Sequence, residues 1–257
     1  MTVAPFPVKS DATAADATEQ PLVTAPLANV SLFAELAERV TGRHRGLPGM
    51  AVWYGPSGYG KTRAAIYGAN RFRATYVEVG ATWTQAKFCR ALLTQLGLPP
   101  TGTVADMAER IIDALRGSRR PVIIDEFDHV VTRKYVDLVR EIHDQSGAAI
   151  ILIGEEMLPH KLKLFERFHN RVLDWCPAQP CDGRDAGILV GVFAPGIAVA
   201  ADLLTRIVKE SGGRPRRIAV NLDRVREYCE LEGLDAIDVA RWGSRPLFSG
   251  EPPARRA

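Results

Sequence analysis

Apolar positions along this chain follow two alternating patterns. Short, almost wholly apolar runs occupy residues 50–54, 75–79, 121–125 and 148–153, and they are rich in Val, Ile and aromatic residues. Runs that are apolar on both faces predict buried strands. A shorter run at 171–174 is a candidate fifth strand. Between the runs, apolar residues recur at helical spacing over 61–72, 84–96, 105–115 and 135–146, with Gly97, Pro99 and Gly147 as stop signals. A further helix precedes the first strand. Leu32, Phe33, Leu36 and Val40 share its apolar face, Asn29 and Ser31 offer N-caps, and Gly42 and Gly46 end it. Strands alternating with helices at this spacing predict a parallel, doubly wound α/β sheet.

After Pro180 the strand pattern stops. Residues 182–193, 197–209 and 215–231 predict helices, with Pro195-Gly196 dividing an apolar stretch into two buried helical segments. The pattern divides the chain into an arm (1–28), an α/β base (29–180), a small helical region (181–242) and a flexible tail (243–257). The arm is rich in Ala, Thr, Pro and Asp without apolar periodicity, and predicts disorder.

Composition changes little in this picture. With 257 residues, 46% hydrophobic and 25% charged, the chain is not collagenous, coiled-coil or disordered as a whole. Its 4 cysteines are too few for a disulfide scaffold, and Cys176 and Cys181 lack a His at zinc spacing, so reduced thiols are expected. No basic segment precedes an apolar run at the start, and the longest apolar stretch is shorter than the roughly 18–20 residues of a membrane span. The expectation is a cytoplasmic protein without a membrane partner.

Chemistry concentrates in two motifs. Gly55-Pro56-Ser57-Gly58-Tyr59-Gly60-Lys61-Thr62 fits the pattern G-x-x-x-x-G-K-[ST], between an apolar strand and a helix. Glycines let successive backbone N–H groups turn toward phosphate oxygens, and the helix adds the positive end of its dipole. Lys61 reaches the terminal phosphates, and the Thr62 hydroxyl can hold Mg²⁺. The second motif is Val122-Ile123-Ile124-Asp125-Glu126-Phe127-Asp128. Asp125 ends a buried strand, where open α/β sheets bind ligands, and can hold Mg²⁺ through water. Glu126 can activate water as a general base, and Asp128 reads as a helix cap.

These motifs resemble the Walker A and Walker B sequences of AAA+ ATPases, over about residues 29–231. The resemblance implies sheet order 5-1-4-3-2, a helical lid after residue 180, and ATP with Mg²⁺ between base and lid. It also implies active sites shared between subunits of a homo-oligomer. By position, sensor 1 falls at Gly154-Glu155-Glu156, where the family usually has Asn, Ser or Thr and this chain offers Glu155. The arginine finger is Arg167 or Arg171. Sensor 2 lies in Ser211-Gly212-Gly213-Arg214-Pro215-Arg216-Arg217, with Arg216 first and Arg217 second.

Within AAA+ proteins, residues 150–156, Leu158, Leu162, Arg167-Phe168 and Arg171-Val172 are similar to the transposition-helper group. That group includes the Mu phage B protein and the target-selection ATPases of Tn7-like and Tn5053-like elements. The resemblance implies ATP-dependent, non-specific binding to double-stranded DNA as filaments, and a DDE-type transposase partner that stimulates hydrolysis. The alternatives are a replication-initiator or helicase-loader ATPase, and an ATP-gated switch that recruits protein without DNA.

Net charge is only +3, which speaks against a histone-like polycation, but its distribution is uneven. Arg outnumbers Lys 26 to 7, and residues 206–226 hold seven basic side chains against Glu210 and Asp223. Residues 160–171 and the cluster Arg116, Arg119, Arg120 are also basic, whereas the first 40 residues are acidic. Repeated along a filament, modest patches give strong, salt-sensitive DNA binding.

Overall fold

The computed structural model describes residues 25–44 and 46–251. The elements run α1 (Ala28–Thr41), β1 (Met50–Tyr54), α2 (Lys61–Phe72), β2 (Thr75–Glu78), α3 (Gln85–Gln95), α4 (Val104–Leu115), β3 (Val122–Asp125), α5 (Asp128–Thr132), α6 (Val136–Ser146) and β4 (Ile150–Gly154). They continue with α7 (Leu158–Leu162), α8 (Glu166–His169), β5 (Val172–Pro177), α9 (Gly183–Phe193), β6 (Ala198–Val199), α10 (Ala201–Glu210), α11 (Pro215–Glu232), β7 (Ala236–Ile237) and α12 (Val239–Trp242).

The sheet is five-stranded and parallel, in the order β2-β3-β4-β1-β5, the expected arrangement. Strand alternation sends side chains to two cores. Met50, Val52, Val122, Ile124, Ile150 and Leu152 meet α3, α4 and α6 on one face. Ala51, Trp53, Ile123, Ile151 and Ile153 meet α1 and α2 on the other, where Phe33 packs edge-on to Trp53 with ring centroids 5.8 Å apart. Helix starts follow local chemistry. Thr84 accepts the Lys87 N–H ahead of α3, and Thr103 with Asp106 forms a reciprocal capping box on α4.

A third core, from Cys181 to Leu247, belongs to the helical region after the sheet. Here the sequence reading needs correction. Residues 198–199 pair in parallel with 236–237 as a two-stranded sheet, so the expected helix at 197–209 begins only at Ala201. Two-residue strands carry too little periodicity to be read locally. The expected loose segment from Gly243 is anchored as far as Phe248. Leu247 is buried in the third core, and the Asn221 side chain bonds both the N–H and the carbonyl of Phe248.

Helix α1 starts at Ala28 with Leu27 at the N-cap, so Asn29 and Ser31 lie inside it. Ala25 and Leu27, assigned to the arm, pack against the third core. The rest of the arm, residues 1–24, and the basic pair Arg255-Arg256 lie outside the described residues. Among the described residues, no helix is long and apolar enough to cross a membrane.

Candidate functional site

The glycine-rich loop joins β1 to α2 at the carboxyl end of the sheet. Gly58 and Gly60 hold φ of +86° and +82°, conformations that L side chains rarely adopt, and Gly60 is the N-cap of α2. The Lys61 ammonium lies over the loop and donates to the carbonyls of Gly55 (2.7 Å) and Pro56 (3.0 Å). Burial holds its pKa below the ordinary value, against the opposing pull of the carboxylates of Glu126, Asp125, Glu155 and Asp128. Thr62 follows in the first turn of α2, half-buried beside the loop that carries Pro56, Ser57 and Tyr59.

Asp125 ends β3 and is 2% exposed. Its Oδ2 accepts the Tyr76 hydroxyl from β2 at 3.0 Å, and its Oδ1 accepts the Glu126 N–H at 2.8 Å. Burial, then the Asp125 charge, push the Tyr76 phenol far above its usual range, so it stays a donor. An ionised carboxylate offers about four acceptor sites, so Asp125 keeps capacity for a hydrated cation. Glu126 has φ of +56°, a left-handed conformation that is strained for a residue with a Cβ and that turns the chain out of the strand. Burial, then Asp125, raise its carboxyl pKa above the ordinary value.

Asp128 caps no helix end of its own. Its buried carboxylate accepts the Glu155 N–H at 2.7 Å and the Lys161 ammonium at 2.6 Å, tying the end of β4 and α7 to the segment after Asp125. Gly154 makes room for this, since a Cβ there would collide with Asp128 Oδ2 and Leu158. Glu155 itself is exposed directly after β4, its backbone fixed through Asp128.

In the segment Ser211–Arg217, Arg214 is the residue that touches the glycine-rich loop. Arg214, at the N-cap of α11, donates through Nε to the Ser57 carbonyl at 3.3 Å, and its stem lies against Gly58. Arg216 is exposed on the first turn of α11, and Arg217 lies against Gly250. A signal for Arg214 was present. Proline at the first helical position makes the preceding residue the cap, which stands nearest the cleft.

Neither finger candidate reaches its own cleft. The Arg171 carbonyl accepts the Met50 N–H at the start of β1, the opposite end of the sheet. Its guanidinium is tied to Asp144 by two bonds of 3.0 Å. Arg167 is exposed on α8, beside Phe168, whose ring stacks on Phe127 with centroids 5.7 Å apart. Sequence reasoning did not assign these contacts to Tyr76, Asn29, Arg214 or the Asp128–Lys161 pair, because each acts across elements distant in the chain.

Residues 44–162 match the AAA domain family model. No curated protein matches the chain by sequence. Among solved structures, the chain is similar to the Aeropyrum pernix ORC2 protein in its ADPNP–ADP complexes (TM-score 0.60, 18% identity), covering 81% of this chain and 64% of that one. It is similar to the Aeropyrum pernix ORC1 protein in complex with DNA (TM-score 0.57, 20% identity), covering 82% and 61%. It is also similar to domain III of the Thermotoga maritima replication initiation protein DnaA (TM-score 0.51, 19% identity), covering 83% and 89%. The chain therefore spans less than two thirds of either ORC chain. The family-model match covers residues 44–162, and the five-stranded parallel sheet that holds them has the α/β P-loop fold of these solved structures.

Proposed function

We propose that this chain is an AAA+ ATPase that binds double-stranded DNA when loaded with ATP, assembles with copies of itself, and activates a DDE-type transposase as a target-selection helper. One observation carries the ATPase reading: the Gly55–Thr62 loop and the Asp125-Glu126 pair stand together at the carboxyl ends of β1 and β3, and Arg214 reaches that loop. Loop amides and Lys61 bind the phosphates of ATP. The hydroxyl of Thr62 and the carboxylate of Asp125 are hard oxygen donors suited to Mg²⁺, which when bound neutralises phosphate charge. Glu126 takes the proton of the attacking water. Arg214, at the N-cap of α11, approaches the phosphates from the helical region after the sheet.

Sharing of the site between copies is supported by Arg167. It has no hydrogen bond or ion pair among the described residues, and Leu164, three positions before it, is 84% exposed. A guanidinium offered outward supplies charge to a neighbour's γ-phosphate. DNA binding is supported by exposed Arg119, Arg120, Lys163, Lys209 and Arg216, none of whose side chains is paired among the described residues. Arg206 and Arg226 are instead paired along their own helices with Glu210, and with Asp223 and Glu230. The transposition role rests on the likeness of residues 150–172 to helper ATPases.

A second reading, a replication-initiator-like ATPase, is favoured by the similarity to the ORC1–DNA structure and to DnaA domain III. A gel shift with random-sequence duplex, with and without ATP and across a salt titration, tests both. Sequence-independent, ATP-dependent binding that weakens steeply with salt, with DNA-coating filaments by negative stain, supports the helper. Closed rings or origin preference support the initiator. Binding to no DNA overturns both in favour of a protein-recruiting switch.

A further inference from the structure

Asn29 lies in the first turn of α1, yet it caps nothing and is 6% exposed. Its side chain is fully engaged. Nδ2 donates to the Tyr59 carbonyl in the phosphate loop (2.8 Å) and to the Gln179 carbonyl (2.7 Å), while Oδ1 accepts the Gln179 N–H (2.8 Å). One amide thus grips both backbone polar groups of Gln179 and a carbonyl of the loop that precedes Lys61.

Gln179 lies between β5 and α9, where the chain leaves the sheet for the lid. On its base side, the Ala178 N–H bonds the Tyr54 carbonyl at 2.7 Å, and Gly55 lies close against Ala178. On its lid side, the Cys181 N–H bonds the Gly213 carbonyl at 2.9 Å, and the next residue is Arg214, which returns to Ser57. The neighbouring Ala28 N–H bonds Asp185 of α9 at 2.9 Å. The connections close a ring through Ser57, Tyr59, Asn29, Gln179, Cys181, Gly213 and Arg214.

We propose that Asn29 is a positioning residue that couples the phosphate loop to the lid. A buried amide with both donors engaged resists any movement that leaves one unpaired. A shift of the loop as it closes on phosphates therefore moves the Gln179 peptide with it, and through Cys181–Gly213 it sets where Arg214 stands. This inference rests on the nucleotide-binding reading above.

Hydrogen–deuterium exchange of the full chain, with and without ATP and Mg²⁺, tests it in wild type, Asn29→Asp and Asn29→Ala. Asn29→Asp keeps the side-chain volume and the acceptor for the Gln179 N–H but loses both donated bonds, and it carries the test if Asn29→Ala does not fold. In wild type, ATP slows exchange in residues 57–62 and in 211–217 together. In the variants, ATP still protects 57–62, but protection of 211–217 is lost. Equal protection of 211–217 in Asn29→Asp and wild type overturns the coupling role. Loss of protection in both segments, at unchanged apo melting temperature, also overturns it, because Asn29 then belongs to binding itself. Absence of ATP protection in wild type would instead sink the nucleotide-site reading.

Discussion

Arg214, at the N-cap of α11, reaches across to the glycine-rich loop, its Nε donating to the Ser57 carbonyl at 3.3 Å. Arg214→Ala is therefore expected to lower kcat/KM for ATP by about tenfold or more, which is about 1.4 kcal/mol of transition-state stabilisation. Arg216→Ala is expected to do less. Steady-state ATPase assays of both variants check the order, and a larger loss in Arg216→Ala would return the role to that residue.

Tyr76 orients Asp125 from the adjacent strand. Tyr76→Phe removes one hydroxyl and keeps the ring. Partners that orient a metal-binding carboxylate are typically worth tenfold or more in metal affinity. The Mg²⁺ concentration for half-maximal binding of a fluorescent ATP analogue should rise by roughly that factor. An unchanged Mg²⁺ titration would remove Tyr76 from the site.

The two finger candidates separate by their partners. Arg171→Ala breaks the paired bonds to Asp144 and should destabilise the fold by about 1 kcal/mol, measured by urea unfolding. Arg167→Ala should leave stability and ATP binding unchanged and abolish hydrolysis. Mixing it with Glu126→Gln subunits should restore part of the activity, because each variant supplies what the other lacks. No recovery on mixing would argue against a shared site.

Gly154→Ala should destabilise by about 1–3 kcal/mol, the usual cost of overpacking, because the new methyl displaces Asp128 or Leu158. It should also slow hydrolysis, since Asp128 holds the backbone of Glu155. Thermal melting and ATPase assays of the variant measure the two effects.

His143 is buried, with Nδ1 2.8 Å from the Ala148 carbonyl, and burial lowers its pKa below the ordinary value. Below about pH 6.5 the unfolded chain binds a proton there that the folded chain resists. Stability should therefore be full at pH 7.5 and fall as pH drops through 6.5 toward the lowered folded value. Urea midpoints of wild type and His143→Gln at pH 7.5 and 5.5 test this, and an equal pH response in both would exclude His143.

The base was legible because its signals are local. The apolar runs at 50–54, 121–125 and 148–153 appear as β1, β3 and β4 within a residue or two, since strands buried on both faces need no polar alternation. The loop Gly55–Thr62 was legible because left-handed backbone demands glycine at fixed positions. The region after residue 180 was read less well. Its two-residue strands β6 and β7 are held by pairing across 38 positions of sequence, and the anchoring of Phe248 depends on Asn221 far upstream.

The sequence alone determined the alternation of the five main strands with their longer helices and the Gly55–Thr62 and Asp125-Glu126 motifs, because spacing and residue type carry that information. Tertiary structure alone decided which side chains serve those motifs. Asn29 became a link between loop and lid instead of a cap, and Asp128 a link between strand ends. Arg214 was placed at the cleft, while Arg171 was tied away from it. Buried polar groups must find partners, and those partners are chosen by packing between elements remote in sequence.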